Sequence, residues 1–292
     1  MLLSPSAGWR RPERTQFDST WEVNTVYQVN LEGKVALVTG GSRGLGRAMV
    51  LGLARAGADV VIASRKLAGC EAVAEEVRAL GRQALPVAAH AGQMESLDAL
   101  LEATYQRFGR LDILINNAGT NPVTAGLSEH TPELFQKVFE VNTKGPWYLA
   151  SRAAPRMAAH GGGSIINVLS VSALKPSPYQ GFYAATKAAL HALTSVMAAE
   201  WAAMGIRVNA LAPGSFHSDM FDNSAKVLPG FMEGSIAKTL QKRVAETDEI
   251  LGIRAIAVQE DHQAVGATRG GGALGRGQEL GHRTPSRWFM TR

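Results

Sequence analysis

A single cysteine, Cys70, stands in 292 residues. One thiol can neither close an internal disulfide nor build a thiolate metal cluster, and a reducing cytoplasm is the compartment it leads one to expect. No apolar run approaches the roughly 20 residues that a bilayer span needs, so no membrane partner is expected. Charged residues are sparse at 19%, apolar ones make up 46%, and mean hydropathy is −0.03. That balance excludes a wholly disordered, collagen-like or coiled-coil chain and allows a sizeable core.

Net positive charge is also thinner than the formal +5 suggests. From Gly252 to Arg292 six arginines face three acids and carry +3 of it, which leaves +2 for the other 251 residues. A body so nearly neutral lacks a nucleic-acid footprint, and no nucleic-acid partner is expected. His160, His217 and His262 have no metal-ligand spacing, so no metal site is expected either.

What is present is a rhythm that starts at Leu31, after a charge-balanced extension over residues 1–30 with no stretch as long as a signal-peptide core. Short apolar strand runs at Val35–Val38, Val60–Ala63, Ala84–Ala89, Asp112–Ile115, Ser164–Val168 and Ile206–Leu211 alternate with helical stretches. The helices are expected near Arg47–Ala56, Ala72–Leu80, Leu97–Phe108, Phe135–Met157 and Tyr183–Ala203. Apolar strands separated by helices mean buried parallel strands joined by crossovers, a Rossmann-type doubly wound α/β/α sheet. Beyond Gly252 glycine and arginine dominate, lysine is absent and no period survives. Residues 253–292 are therefore read as an atypical tail without assigned structure, and a final strand is doubtful.

Strand one runs into Thr39-Gly-Gly-Ser-Arg-Gly-Leu-Gly46 and then a helix. Glycines at 40, 44 and 46 allow a tight turn, backbone approach to a pyrophosphate and close helix–strand packing. Gly40, Ser42, Arg43, Gly44, Leu45 and Gly46 are thus the expected dinucleotide contacts. Strand two ends at Ser64-Arg65, where a chain choosing NAD carries an acid for the ribose 2′-hydroxyl. Arg65 and Arg43 instead suit a 2′-phosphate, favouring NADP(H); the bland reading is two solvated arginines. Asn116-Asn117-Ala118-Gly119 closes strand four at the carboxyl edge, where small residues let a cofactor approach.

Tyr183 and Lys187, four apart, share a helix face. The ammonium is expected to favour the phenolate and lower the tyrosine pKa. Ser170, taken as the last residue of strand five, faces the same crevice. His90 follows strand three and reads equally as an adenine contact or a packed histidine, while Cys70 and His191 read as packing residues. Asn121, Leu174, Tyr179, Phe216 and Met220 are expected to border a partly apolar substrate pocket.

These motifs, with Asn142 in Val-Asn-Thr-Lys-Gly and Arg-Val-Asn-Ala-Leu-Ala-Pro-Gly at 207–214, resemble the short-chain dehydrogenase/reductase family over about Leu31 to Gly252. The resemblance is to NADP(H)-preferring members of the 3-oxoacyl-carrier-protein reductase type. It implies a carbonyl or secondary-alcohol substrate, Tyr183 as general acid/base, Ser170 polarising the carbonyl, and Lys187 holding the nicotinamide ribose. Asn142 would anchor a relay water; Asn117, Ala118, Gly119, Pro213, Gly214 and Ser218 would border the cofactor. The helices at 135–157 and 183–203 match the family's dimer interface and imply a homodimer. The family's final helix and Val-Asp-Gly-Gly strand have no counterpart after Gly252. A reading-frame shift in a GC-rich gene would produce so abrupt a change; lineage divergence is the other reading. An altered tail leaves a second functional reading, a catalytically impaired NADP-binding or interaction protein.

Overall fold

The computed structural model describes residues 29–122, 126–252 and 288–290; the extension up to residue 28 and most of the tail lie outside them. Six parallel strands form the body of one sheet: β1 (Val35–Thr39), β2 (Asp59–Ser64), β3 (Ala84–Ala88), β4 (Ile113–Asn116), β5 (Gly163–Val168) and β6 (Ile206–Ala212). Their order is β3-β2-β1-β4-β5-β6, so the chain runs outward from β1, returns, and continues on the other side at β4. That reversal between β1 and β4 is the switch point at which ligands meet doubly wound sheets.

β1 is buried along its whole length. Its side chains alternate between faces, as strand geometry requires. Ala36 and Val38 pack with Met49, Val50 and Leu53 of α1 (Gly44–Arg55) and Val73 and Val77 of α2 (Leu67–Ala79). Leu37 turns the other way, towards Leu97 and Leu100 of α3 (Met94–Phe108), Leu149 and Met157 of α5 (Gly145–Ala158), and Met197 of α6 (Gly181–Trp201). Each face of the sheet thereby gains its own apolar layer, the arrangement read from the strand–helix alternation.

Several elements depart from the sequence reading. The helix expected over Phe135–Met157 is three pieces: α4 (Pro132–Phe139), a π turn over Glu140–Lys144, and α5. Thr131 caps α4 by accepting from the Leu134 amide. Two helices that the sequence reading did not place follow β6, α7 (Asp219–Val227) and α8 (Phe231–Lys238); α8 buries no residue. Within the tail, the backbone of β7 (Trp288–Met290) pairs parallel with β6, Ala210 opposite Trp288. The tail therefore does contribute a seventh strand, because a three-residue apolar run suffices to extend an edge already in place. Among the described residues no helix is long and apolar enough to cross a membrane.

Candidate active site

The glycine loop is shaped by contacts that exclude side chains. Gly40 and Gly44 hold positive φ, 67° and 52°. A Cβ on Gly46 would lie 2.0 Å from the Gly40 carbonyl oxygen. Arg43, at the N-cap of α1, is extended and supplies no side-chain cap, and the helix's first turn carries no acid. The leading N–H groups of α1 are thus left with the positive pole of the helix for an anion, which fits a pyrophosphate. Ser42 lies against the start of α2, and Gly41 N–H donates to Ala63 O at 3.1 Å, so the loop adjoins the end of β2 with Ser64 and the exposed Arg65.

Thr39 organises the neighbouring turn. Its Oγ1 accepts from the amides of Asn117 (3.0 Å) and Ala118 (3.1 Å), and Asn117 Nδ2 donates to Thr39 O at 2.9 Å. Asn116 points into the core instead, where its Nδ2 donates to Asn167 Oδ1 at 2.9 Å. Asn167 in turn donates to Thr194 Oγ1 at 2.9 Å, tying α6 to the sheet.

α6 carries Tyr183 and Lys187. Lys187 is 3% exposed, and its Nζ donates to Val168 O at 2.7 Å at the end of β5. Burial lowers its pKa to about 8. Burial also pushes the Tyr183 phenol above its ordinary value, opposed by a hydrogen bond with Ser170. This reverses the direction expected from the spacing: Lys187 Nζ is turned to the Val168 carbonyl and lies 5.9 Å from the Tyr183 ring centroid. Ser170 sits two residues past β5, where it caps a short 3-10 turn by accepting from Ser172 N at 3.1 Å, rather than on the strand itself. Asn142, fully buried in the π turn, donates to Thr186 Oγ1 at 3.1 Å and grips the Thr120 backbone. Gly119 lies between them, its virtual Cβ 3.4 Å from Lys187 Nζ and 3.5 Å from Asn142 Oδ1. Ser170, Tyr183, Lys187, Asn142 and Gly119 therefore converge.

Past β6, Pro213 O accepts from Val171 N, Gly214 follows, and Ser218 caps α7 by accepting from Phe221 N at 3.3 Å. Beside Tyr183 a hollow is lined by Asn121, Tyr179, His130, Gln180 and Phe182. The first two were expected there. His130, Gln180 and Phe182 were not: their signal is aromatic and polar character near the tyrosine, too common to single out. Leu174 and Met220 are exposed. Phe216 is no lining residue; it is buried in the α1-side core and bridges to Ala245. His90 closes a turn, its Nδ1 accepting from Gly92 N at 3.1 Å, and Cys70 is buried.

Residues 34–228 match the family described as short chain dehydrogenase. The chain belongs to that family. It is 41% identical over 234 residues to an uncharacterized oxidoreductase of Methylorubrum extorquens, covering 79% of this chain and 92% of the relative. Among solved structures it is similar to L-sorbose reductase from Gluconobacter frateurii, complexed with NADPH and L-sorbose, with a TM-score of 0.75, 31% identity and 80% and 92% of the two chains covered. It is also similar to NAD+-bound xylitol dehydrogenase, with a TM-score of 0.73, 25% identity and 79% and 94% covered. This short-chain dehydrogenase is thus an oxidoreductase of a family that transfers hydride with nicotinamide cofactors.

Proposed function

We infer that this short-chain dehydrogenase is an NADP(H)-dependent carbonyl reductase or alcohol dehydrogenase, with Tyr183 as its proton donor and acceptor. The observation that carries the reading is the convergence of the Ser170 hydroxyl, the Tyr183 phenol and the buried Lys187 ammonium beside a glycine loop whose helix is uncapped. The loop, Asn117–Gly119 and the Pro213–Ser218 segment would hold the cofactor, and Arg65 and Arg43 its 2′-phosphate in place of the missing acid after β2. When bound, the nicotinamide supplies or takes the hydride. Ser170 orients and polarises the carbonyl oxygen. Tyr183, kept protonated by burial, hands that oxygen its proton in reduction and recovers it in oxidation. Lys187 holds the ribose and offers positive charge to the developing phenolate.

Tyr183, Tyr179, His130 and Phe182 border one small hollow, and their rings offer apolar contact to the part of a substrate beside its carbonyl. α6 also presents an apolar outer face, which supports a homodimer through α5 and α6. The test is NADPH oxidation against a panel of cyclic, aromatic and open-chain ketones and 3-oxoacyl thioesters, run beside Tyr183→Phe. That variant is expected to bind cofactor normally and lose turnover by roughly a hundredfold or more. Near-parent turnover, or no ketone reduced by the parent, sinks the reading.

A further inference from the structure

Arg43 follows β1 by four residues, and Asp219 follows β6 by seven. In the sheet β1 and β6 are separated by β4 and β5, which is three strand spacings or roughly 14 Å. Yet Arg43 Nη1 and Asp219 Oδ2 are 2.6 Å apart. The loops behind them also meet: the virtual Cβ of Gly44 lies 3.6 Å from Cβ of Ser218. The two segments therefore arch towards one another above the carboxyl ends of β4 and β5. Asn117–Gly119 and Ser170 emerge from those two strand ends. An ion pair thus spans the crevice that the glycine loop, the Asn117–Gly119 turn and the α7 cap enclose.

The pair is built to open. Its two side chains are 67% and 58% exposed, so water competes for both charges. Exposed pairs of this kind contribute about 0.2–1 kcal/mol. Asp219 also begins α7, whose positive pole favours a carboxylate whether or not Arg43 holds it. Arg43 in turn adjoins the uncapped first turn of α1, where a phosphate would find N–H donors. A dianionic phosphate engages a guanidinium through two parallel hydrogen bonds and outbids a single solvated carboxylate.

We propose that Asp219 is a cofactor-gating and specificity-determining residue. Its carboxylate straps Arg43 across the crevice and surrenders the guanidinium to a cofactor that carries a 2′-phosphate. A cofactor without that phosphate leaves the strap closed above it. NADPH binding therefore releases α7 from the glycine loop, whereas NADH binding does not. Asp219 opposes NADPH slightly, because it competes for Arg43, and retains NADH slightly, because it keeps the arch shut. The exchange rests on the reading that Arg43 serves the 2′-phosphate.

Release rates of NADPH and NADH from the full-length chain, followed by stopped-flow fluorescence at low and high salt, test this. Asp219→Asn is expected to release NADH about two- to fivefold faster, the most that an exposed pair can contribute, while NADPH affinity stays level or tightens by up to the same factor. High salt should speed NADH release from the parent and change the variant less. The charge-swapped double variant, Arg43→Asp with Asp219→Arg, should restore slow NADH release while its NADPH affinity falls below the parent's, since position 43 no longer offers a guanidinium. Unchanged NADH release in Asp219→Asn at low salt overturns the strap, and so does an equal effect of that variant on both cofactors. Equal affinity of the parent for NADPH and NADH overturns the cofactor reading and the exchange with it. That failure is read on the parent alone, so it is distinguishable from the other two.

Discussion

The side-chain amide of Asn142 pairs with the backbone of Thr120 in both directions. Its Oδ1 accepts from Thr120 N at 2.8 Å, and its Nδ2 donates to Thr120 O at 2.8 Å. The same Nδ2 donates to Thr186 Oγ1, which in turn donates to the Tyr183 carbonyl at 2.7 Å. One buried amide thereby locks the segment after Gly119 to the first turn of α6. The π turn is what makes this reach available, since its widened backbone re-aims a side chain that a regular α-helix would place elsewhere.

Asn142→Ala removes three hydrogen bonds at a fully buried position. The variant is expected to lose about 2–4 kcal/mol of stability in denaturant unfolding. Asn142→Asp should not rescue it, because a carboxylate oxygen would then face the Thr120 carbonyl. A loss within measurement error in the alanine variant would mean that Thr120 is held by something else.

Most of the sheet was legible because Val35–Val38 and Val60–Ala63 are continuous apolar runs, which is what burial on both faces demands. Ser170, Tyr183 and Lys187 were legible through spacing, and the structure brings them together. The π turn was not, since it depends on packing against α6 rather than on residue type. Neither was the direction of the Tyr183 shift, which burial sets and which residue spacing does not show. α7 and α8 escaped for a different reason. α8 buries no residue and α7 only Ser224, so neither short helix stands out in the sequence as one that faces the core. Phe216, expected at the pocket, is instead buried in the α1-side core, and its backbone bridges to Ala245.

Lys187 sets a pH dependence of stability. Its folded pKa is about 8 against an ordinary 10.5. Between those values the unfolded chain holds a proton that the folded chain has released, so stability rises with pH across that window. Below pH 8 both states are protonated and the cost of burying the ammonium is constant. At about 1.36 kcal/mol per pH unit the total gain is roughly 3 kcal/mol. The raised Tyr183 phenol acts in the opposite sense above about pH 10, where only the unfolded chain ionises. Comparing the parent with Lys187→Met cancels that contribution. The parent should gain on the variant by about 2–3 kcal/mol between pH 8 and 10.5. Parallel pH profiles for the two proteins would show that Lys187 is not perturbed.

Cofactor choice should follow Arg65, exposed just beyond β2. Arg65→Ala is expected to weaken NADPH by about 1.5–3 kcal/mol, the contribution of a charge-assisted phosphate contact, and to leave NADH nearly unchanged. Fluorescence titration with each cofactor measures it. An equal loss for both would place Arg65 away from the 2′-phosphate.

The outer face of α6 makes an assembly prediction. Ala185, Ala188, Ala192, Val196 and Ala199 are all exposed, and spaced three or four apart they form a single stripe without a charged group. Val196 is 49% exposed, and Trp147 on the adjoining α5 is 42% exposed. The helix's other face already packs on the sheet through Leu190, Met197 and Ala198, so the stripe is a second apolar surface on one helix. Helices with two apolar faces are covered on both, and small side chains let a second copy approach closely. A two-fold dimer through this face places each stripe against its symmetry mate. Ala192→Glu would then bury an uncompensated carboxylate from each protomer near the axis, at about 3–5 kcal/mol each. The variant should be a folded monomer, with the parent's circular dichroism and half its mass by light scattering. Position 192 faces water in a single protomer, so the substitution costs the fold little. A parent that is already monomeric, or a glutamate variant that remains dimeric, would place the interface elsewhere.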